Sequence, residues 1–422
     1  MKFRNILKQS AASLLVANGV YVYTFLCNIL LMRMLLPDEF GLVALAASLV
    51  GLIEMVTTFS FNVVLIQQRE QRSLVRSVFQ LALAVIGLKL VIGALFFVML
   101  QGWYDAQVWQ LFWLVLSSKI FSGIGPLLVS RLEKRGAFLR ATLVSNGSTA
   151  VAVSAAVVAV YFDAGVYGLS LRLILPPVLI FTAMMVFYSE LFPTGLRSVN
   201  RIKLRAVAAA SVQLYFQRGA ELSYMRIPSL IVESQFGTAK LGLFLQATYL
   251  VTLVHRLTSV INQQVALVFF AHNRSDAGET RHGYRWLLAL NFVIAIPFML
   301  LFWALPEPIV TFLWGEEWLG VVPFLKLMAA MILLLPIFVL LKSRLMGLRR
   351  NWSVTAGYVV GLVFFALGLL LVTAPAEASS WVAGLSMSSY VVMVAVLWIF
   401  IGRSDRLPVV GAEATAAARG RE

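Results

Sequence analysis

The stretch FGLVALAASLVGLIEMVTTF (40–59) is twenty residues long and carries one charge, Glu54. At about 1.5 Å of rise per residue, twenty apolar positions in a helix cross about 30 Å, the hydrocarbon thickness of a bilayer. A second stretch, LGLFLQATYLVTLVHRLTSV (241–260), matches it at seven of twenty positions after a shift of 201 residues. The tripeptide SRL also recurs, at 130–132 and 343–345. In the segmentation below, the long stretches each open the second helix of a six-helix half. Each SRL falls where a fourth helix ends. Two halves of the same orientation predict parallel repeats about an axis along the membrane normal, with a site between them.

Outward from these stretches, the chain is 60% hydrophobic with a mean hydropathy of +0.88 over 422 residues. An ordinary soluble domain, about half apolar, has no use for that much hydrophobic surface. Apolar runs broken by charge predict an all-α polytopic membrane protein with twelve transmembrane helices. They lie near 11–36, 40–66, 78–100, 108–130, 141–162 and 166–189, then 207–232, 241–270, 286–306, 320–346, 355–374 and 381–401. Of the 34 Lys and Arg, 25 fall in the N-terminus, the even-numbered loops and the tail, one (Lys240) in the odd loops, and eight within spans. That asymmetry predicts cytoplasmic N- and C-termini. Trp103, Trp109, Trp303, Trp314 and Trp381 fall at the expected outer boundary, and Trp286, Trp352 and Trp398 at the inner one, as an aromatic belt requires.

The expected organisation is an N-terminal six-helix lobe (1–189), a basic cytoplasmic linker (190–206), a C-terminal six-helix lobe (207–401) and a disordered tail (402–422), the lobes flanking a central cavity. The basic opening MKFRNILKQ precedes an apolar run that continues to Leu36 without a small-residue cleavage pattern, so a retained first helix is expected. The largest outer loop, 306–320, has room for a short helix only. The net charge of +15 follows membrane topology, so nucleic acid is not an expected partner. Cys27 is the single cysteine, which excludes a disulfide framework and Cys-based metal patterns.

The spans contain ten charged side chains: Arg33, Lys89, Lys119, Arg172, Arg218, Arg226, Arg256 and Lys326 against Glu54 and Glu221. Each such cation costs about 2.5–3.5 kcal/mol at a helix centre on insertion scales. Two glutamates leave an excess of six positive charges. Arg33, Arg172, Arg226 and Lys326 lie toward outer ends, from which long stems can snorkel. Lys89, Lys119, Arg218 and Arg256 are deep, so a positively charged cavity at mid-depth with an anionic ligand is expected. Structural readings compete for particular residues. Arg218 and Glu221, three apart, can pair on one helix face. Glu54 can serve Lys89 or Lys119. His255, aligned with Glu54 in the repeat, is either a buried histidine or an ion-coupling group. Gly123, Gly125 and Pro126, Pro176 and Pro177, and Pro228 are expected to break helices, as hinges or as ordinary kinks.

No nucleotide-binding loop, zinc signature or nucleophile elbow is present, and no catalytic residue, metal or cofactor is expected. Asp38 and Glu39, in LLPDEFG (35–41), stand where membrane glycosyltransferases can hold carboxylates. A turn ahead of a helix whose dipole favours acids explains them better.

The run RMLLPDEFGLVALAASLVGLIE followed by FNVVLIQQRE (61–70) resembles the polysaccharide-transport branch of the MOP flippase superfamily. The second-half run SQFGTAKLGLFLQATYLVTLVHRLTSVINQQVALVFFAHN is similar to that family's glycine-spaced stretch. Where many members carry an aspartate in the seventh helix, SYMRIPSLIVESQFG holds Arg226. The resemblance implies two lobes forming a V-shaped cavity that opens alternately to each side of a bacterial inner membrane. Its implied substrate is a polyprenyl-pyrophosphate-linked oligosaccharide. Implied partners are a polysaccharide polymerase and chain-length regulator, with H+ or Na+ as coupling ion. Joined to the residue reading, this expects Arg218, Arg226, Lys89, Lys119, Arg256, Arg33 and Arg172 to bind substrate, and Glu54, Glu221 and His255 to couple ions. The competing readings are a teichoic-acid or peptidoglycan precursor flippase, a small-solute antiporter, a membrane polymerase or glycosyltransferase, and an assembly scaffold. The excess of lumenal cations disfavours an antiporter of cations. The absence of a sizeable outer loop disfavours an enzyme.

Overall fold

The computed structural model describes residues 3–59, 61–62, 65, 71–193, 201–260, 277–348, 350–371 and 378–404. Part of the linker (194–200), the tail beyond 404, and most of the family-like stretches at 60–70 and 261–276 lie outside the described residues. Among the described residues there is no strand.

The helices are α1 (Phe3–Met34), α2 (Pro37–Thr57), α3 (Arg72–Leu100), α4 (Ala106–Ser122), α5 (Gly125–Lys134), α6 (Phe138–Tyr161) and α7 (Gly165–Phe187). They continue as α8 (Arg201–Val260), α9 (Ala277–Ala304), α10 (Pro306–Trp314), α11 (Val322–Met328), α12 (Met331–Gly347), α13 (Asn351–Leu370) and α14 (Ala378–Ser404). Ten helical segments among the described residues are long and apolar enough to cross a membrane, or eleven if the pair Glu316–Met328 and Met331–Met346, bent by 55°, forms one span. The protein is a multi-pass membrane protein. Gly237, at φ 81°, interrupts α8 between the positions expected for the seventh and eighth spans. Loop 306–320 holds α10 and a 3-10 turn at Glu316–Val321.

Compactness divides the chain into two units: Met1–Gln246 with Glu307–Val322, and Ala247–Pro306 with Pro323–Glu422. In the first unit α6 packs against α1 and α7, and α4 against α2 and α7. An apolar cluster including Leu74, Val78, Phe79, Leu128, Leu132, Met184 and Leu191 ties α3, α5 and α7 together at one end. In the second unit α12, α13 and α14 pack together, with α9 against α12.

The repeat is visible in the first unit's backbone. Gly41 lies so close to the chain that a methyl there would overlap Thr238 O, and one on Gly242 would overlap Pro37 O. Shifting Gly41 and Pro37 by 201 residues gives Gly242 and Thr238, so each contact is the symmetry equivalent of the other. The two glycines are identical positions of the internal repeat, and each makes room for the other helix's first turn. The Thr238 hydroxyl donates to Asp38 Oδ1 at the same place.

Two expectations change. The expected proline breaks are absent at these positions: α7 runs continuously through Pro176 and Pro177, and α8 runs through Pro228. Neighbouring helices and local adjustments can satisfy backbone groups that proline leaves open in a membrane helix. Nor do all the tryptophans form a belt. Trp103, Trp303 and Trp286 are exposed, but Trp314 and Trp109 are buried. Trp314 packs on Trp318 at 5.8 Å, and Trp109 lies edge-on to Phe97 at 5.0 Å. Protein covers these two rings, where the belt reading needs lipid headgroups.

Candidate functional site

The charged side chains of the first unit gather near the C-terminal half of α2. Gly93 on α3 lets Leu116 of α4 close against the helix, and Ile53 of α2 borders the same spot. Lys89 precedes Gly93 by four residues, Lys119 follows Leu116 by three, and Glu54 follows Ile53. Helical periodicity therefore sets Lys89 and Lys119 about one turn from this packed point, with Glu54 next to it on α2. Glu54 Oε1 is 3.4 Å from Lys119 Nζ and 4.0 Å from Lys89 Nζ. Lys89 is only 8% exposed. One carboxylate thus serves two ammonium groups, and the cluster keeps a formal positive charge.

The first half of α8 runs along α2. The Tyr215 hydroxyl donates to Val56 O at 3.1 Å, the Ser223 hydroxyl contacts Met55 Sδ at 2.6 Å, and Gly219 faces Met55 O. Gly51 leaves room for the stem of Arg226, which crosses α2 one turn before Glu54, within electrostatic reach of Glu54 and Arg218. Arg226 Nε is buried without a hydrogen-bond partner. Arg218 pairs with Glu221 at 2.9 Å while remaining 46% exposed.

A cavity of about 490 Å³ opens beside this cluster, lined by Glu54, Lys89 and Arg218 with Phe59, Phe61 and Asn62. Gly123 and Pro126, at the break between α4 and α5, complete one wall. Lys119, Arg226 and Glu221 adjoin the lining residues rather than lining the cavity. Four cations against two carboxylates make this neighbourhood net positive, with two aromatic rings beside it. Such a cavity can hold an anionic group and shield it from hydrocarbon.

Other sequence-predicted residues lie elsewhere. Arg33 donates to Leu313 O at 3.0 Å and to Phe312 O, binding the last carbonyls of α10, where a helix favours a cation. Arg172 donates to Asn28 Oδ1 at 3.0 Å and lies 5.1 Å from the centre of the Phe40 ring. His255 and Arg256 belong to the second unit, where the Arg256 guanidinium lies 5.9 Å from the centre of the Tyr249 ring.

Sequence reasoning did not anticipate a second cavity, of about 620 Å³, at the opposite end of α2. Among the described residues five carboxylates line it, Asp38, Glu39, Asp105, Asp163 and Glu233, with Trp103, Tyr104 and Tyr167 and no Lys or Arg. Burial, and then the Glu233 carboxylate, raises the Tyr104 phenol above its ordinary range. The signal lay in the odd-numbered loops, whose charges are nearly all acidic. Among the described residues no three His, Cys, Asp or Glu side chains are grouped to hold a metal ion.

Residues 30–323 match the family model described as "Polysaccharide biosynthesis protein". The succinoglycan biosynthesis transport protein ExoT of Rhizobium meliloti (strain 1021) is 23% identical over 327 residues, 75% of this chain and 64% of that protein. The chain thus spans less than two thirds of that relative's length. In structure it is similar to a multidrug resistance MATE family transporter of the MOP superfamily in an inward-facing conformation. The TM-score is 0.62 at 14% identity, covering 92% of this chain and 94% of that one. An outward-facing structure with the same description gives a TM-score of 0.55 at 13% identity, covering 96% and 97%. These structural likenesses show that the chain shares the fold of those transporters.

Proposed function

This chain belongs to the polysaccharide biosynthesis protein family, and we propose that it is a transporter that flips a polyprenyl-pyrophosphate-linked oligosaccharide from the cytoplasmic to the outer leaflet of a bacterial inner membrane. The observation that carries this reading is the net-positive cavity bounded by Lys89, Arg218 and Glu54, set among membrane-spanning helices. A pyrophosphate crossing hydrocarbon needs charge-assisted partners at depth, and ammonium and guanidinium groups supply them. Lys89 and Arg218 hold the headgroup, and Lys119 and Arg226 set the local potential. Glu54 and Glu221 hold these cations between transport events and are the carboxylates at which H+ or Na+ couples. His255 and Arg256 are the corresponding proposal in the second unit. Arg33 and Arg172 act on the helix frame rather than on the headgroup.

The mechanism is alternating access by two six-helix lobes, 1–189 and 207–401, making twelve spans with cytoplasmic termini and 190–206 as linker. Inward- and outward-facing states of the same fold support it, as does the symmetric contact at Gly41 and Gly242, a junction that two repeats can open as one unit. A polymerase and a chain-length regulator are the natural partners for the product.

The test uses the whole protein in vesicles holding a fluorescent polyprenyl-pyrophosphate oligosaccharide, with a membrane-impermeant quencher reporting leaflet exposure. Intact protein is expected to expose the glycan to the outer leaflet, and Lys89→Gln and Arg218→Ala to slow this at least tenfold while remaining folded. Flipping by both variants at the normal rate removes the site assignment. No flipping by the intact protein, with lengthening of the glycan, replaces the transporter by an enzyme.

A further inference from the structure

A third cavity in the first unit, of about 500 Å³, lies at the end of the helices that the Lys/Arg asymmetry assigns to the cytoplasm. Among the described residues, Arg72, Arg76, Arg131 and Arg135 line it against one carboxylate, Glu190. Arg72 and Arg76 stand four apart in the first two turns of α3, and so share a face. Arg131 and Arg135 stand four apart at the end of α5, Arg135 as its C-cap. Arg131 is the arginine of the first SRL tripeptide, and its Nη1 donates to Leu191 O. That bond fastens its guanidinium to the apolar cluster holding α3 and α5 together.

Topology alone accounts for basic loops but not for this convergence. Arg76 and Arg131 are separated by 55 residues, and solvated loop charges have no reason to share a concavity. Two of the four also oppose their own helix. A helix N-terminus carries about half a positive charge and favours acids, yet the first turn of α3 has no acidic residue and opens on Arg72. Arg131 and Arg135, at a C-terminal end, agree with the dipole. Four guanidiniums, one carboxylate and a helix N-terminus therefore surround one space, and an anion there relieves the repulsion among them.

We infer that this pocket binds the phosphate of a lipid headgroup, as a loading site apart from the cavity beside Glu54. Guanidinium forks match phosphate oxygens in bidentate geometry, and this pocket presents four. A phosphate can come from the carrier's pyrophosphate or from an anionic bilayer lipid. The carrier as source rests on the proposed function, whereas the phosphate chemistry does not.

The experiment reads the pocket locally. Glu190→Cys, made in a Cys27→Ser background, places one thiol on the pocket wall of the full chain, reconstituted in vesicles of phosphatidylethanolamine. Geranyl pyrophosphate is expected to slow modification of that thiol by a water-soluble methanethiosulfonate. Arg72→Gln, Arg76→Gln and Arg135→Gln are each expected to raise the half-protecting concentration about tenfold to a hundredfold. The matching lysine variants should recover part of the loss, and Arg140→Gln, outside the pocket, should leave it unchanged. Equal protection by phosphatidylglycerol vesicles alone assigns the same phosphate site to the bulk bilayer. Arg131 is left in place because it also holds Leu191. Protection that ignores all three glutamine variants, or no protection by either phosphate source, overturns the site. Flipping measured on the same vesicles separates that failure from failure of the transport reading.

Discussion

The two ends of α2 carry opposite charge. At its start, Asp38 and Glu39 border a cavity of five carboxylates, and the Leu36 amide donates to Glu39 Oε2 at 2.8 Å. Near its end, Lys89 and Arg218 border a cavity whose surroundings are net positive. The first arrangement agrees with the helix macrodipole, which favours acids at an N-terminus, whereas at the other end α2 itself contributes Glu54 and the cations come from neighbouring helices. The two arrangements also differ in what holds them. The acidic cavity has exposed rings such as Trp103 on its wall, and its carboxylates are spread out rather than gathered for a metal. The basic cluster is held by a buried lysine and a shared glutamate between three helices. Repulsion in the first is relieved by water, whereas in the second it must be met by partners already present. Substitutions at the two ends should therefore differ in kind, stability failing at one and local electrostatics shifting at the other.

The largest effect is expected at Glu54. Glu54→Gln leaves Lys89 and Lys119 close together without their shared carboxylate, at a cost of about 3–5 kcal/mol for breaking such a buried pair. The yield of monodisperse protein and its thermal unfolding check this. The double variant Glu54→Gln, Lys89→Met should recover part of the loss, and a double variant no better than Glu54→Gln would deny the cluster its structural role.

Gly41→Ala and Gly242→Ala come next, at about 1–3 kcal/mol each from overpacking against backbone that cannot yield easily. Because the contacts are symmetry equivalents, thermal unfolding should show similar losses for both. A loss confined to one would break the repeat equivalence.

Arg218→Ala should cost less than about 1 kcal/mol, since its pair with Glu221 lies within one helix and its guanidinium is about half exposed. Unfolding and flipping rates measured together test this. Full stability with slowed flipping separates substrate contact from scaffold, which Glu54 cannot do because it serves both.

Much of this contrast is legible in the amino-acid sequence. Length and hydropathy mark the spans, the distribution of Lys and Arg orders them, and the charges within spans pointed to Glu54, Lys89, Lys119 and Arg218. The repeat alignment contained Gly41 and Gly242 as identities, although identity alone does not say that two backbones touch. Convergence among the arginines of the basic loops was not legible. Arg76 and Arg131 read as separate basic loops, and only the packing of α3 on α5 makes them neighbours. Arg33 looked like another lumenal cation because its partners are backbone carbonyls of α10, and a carbonyl leaves no mark in the sequence. Trp109 and Trp314 show the same limit from the apolar side, since position near a span's end does not reveal whether protein or lipid covers a ring.

The smallest expected effect tests the acidic end by itself. The Tyr104 phenol lies above its ordinary value of 10.0 because it is buried and, secondarily, because Glu233 is near. Glu233→Gln should therefore lower it part of the way, leaving the contribution of burial. With twelve tyrosines in the chain, the titration must be read as the difference in tyrosinate absorbance between each protein and its Tyr104→Phe counterpart. The sign of the linkage follows from the raised folded value. The folded protein holds this proton more tightly than the unfolded chain, so the contribution to stability is complete below pH about 10 and is lost as pH rises through the folded pKa. Glu233→Gln should narrow that alkaline window and leave neutral-pH unfolding and the basic cluster unchanged. A loss of neutral-pH stability as large as that of Glu54→Gln would erase the distinction between the two ends of α2.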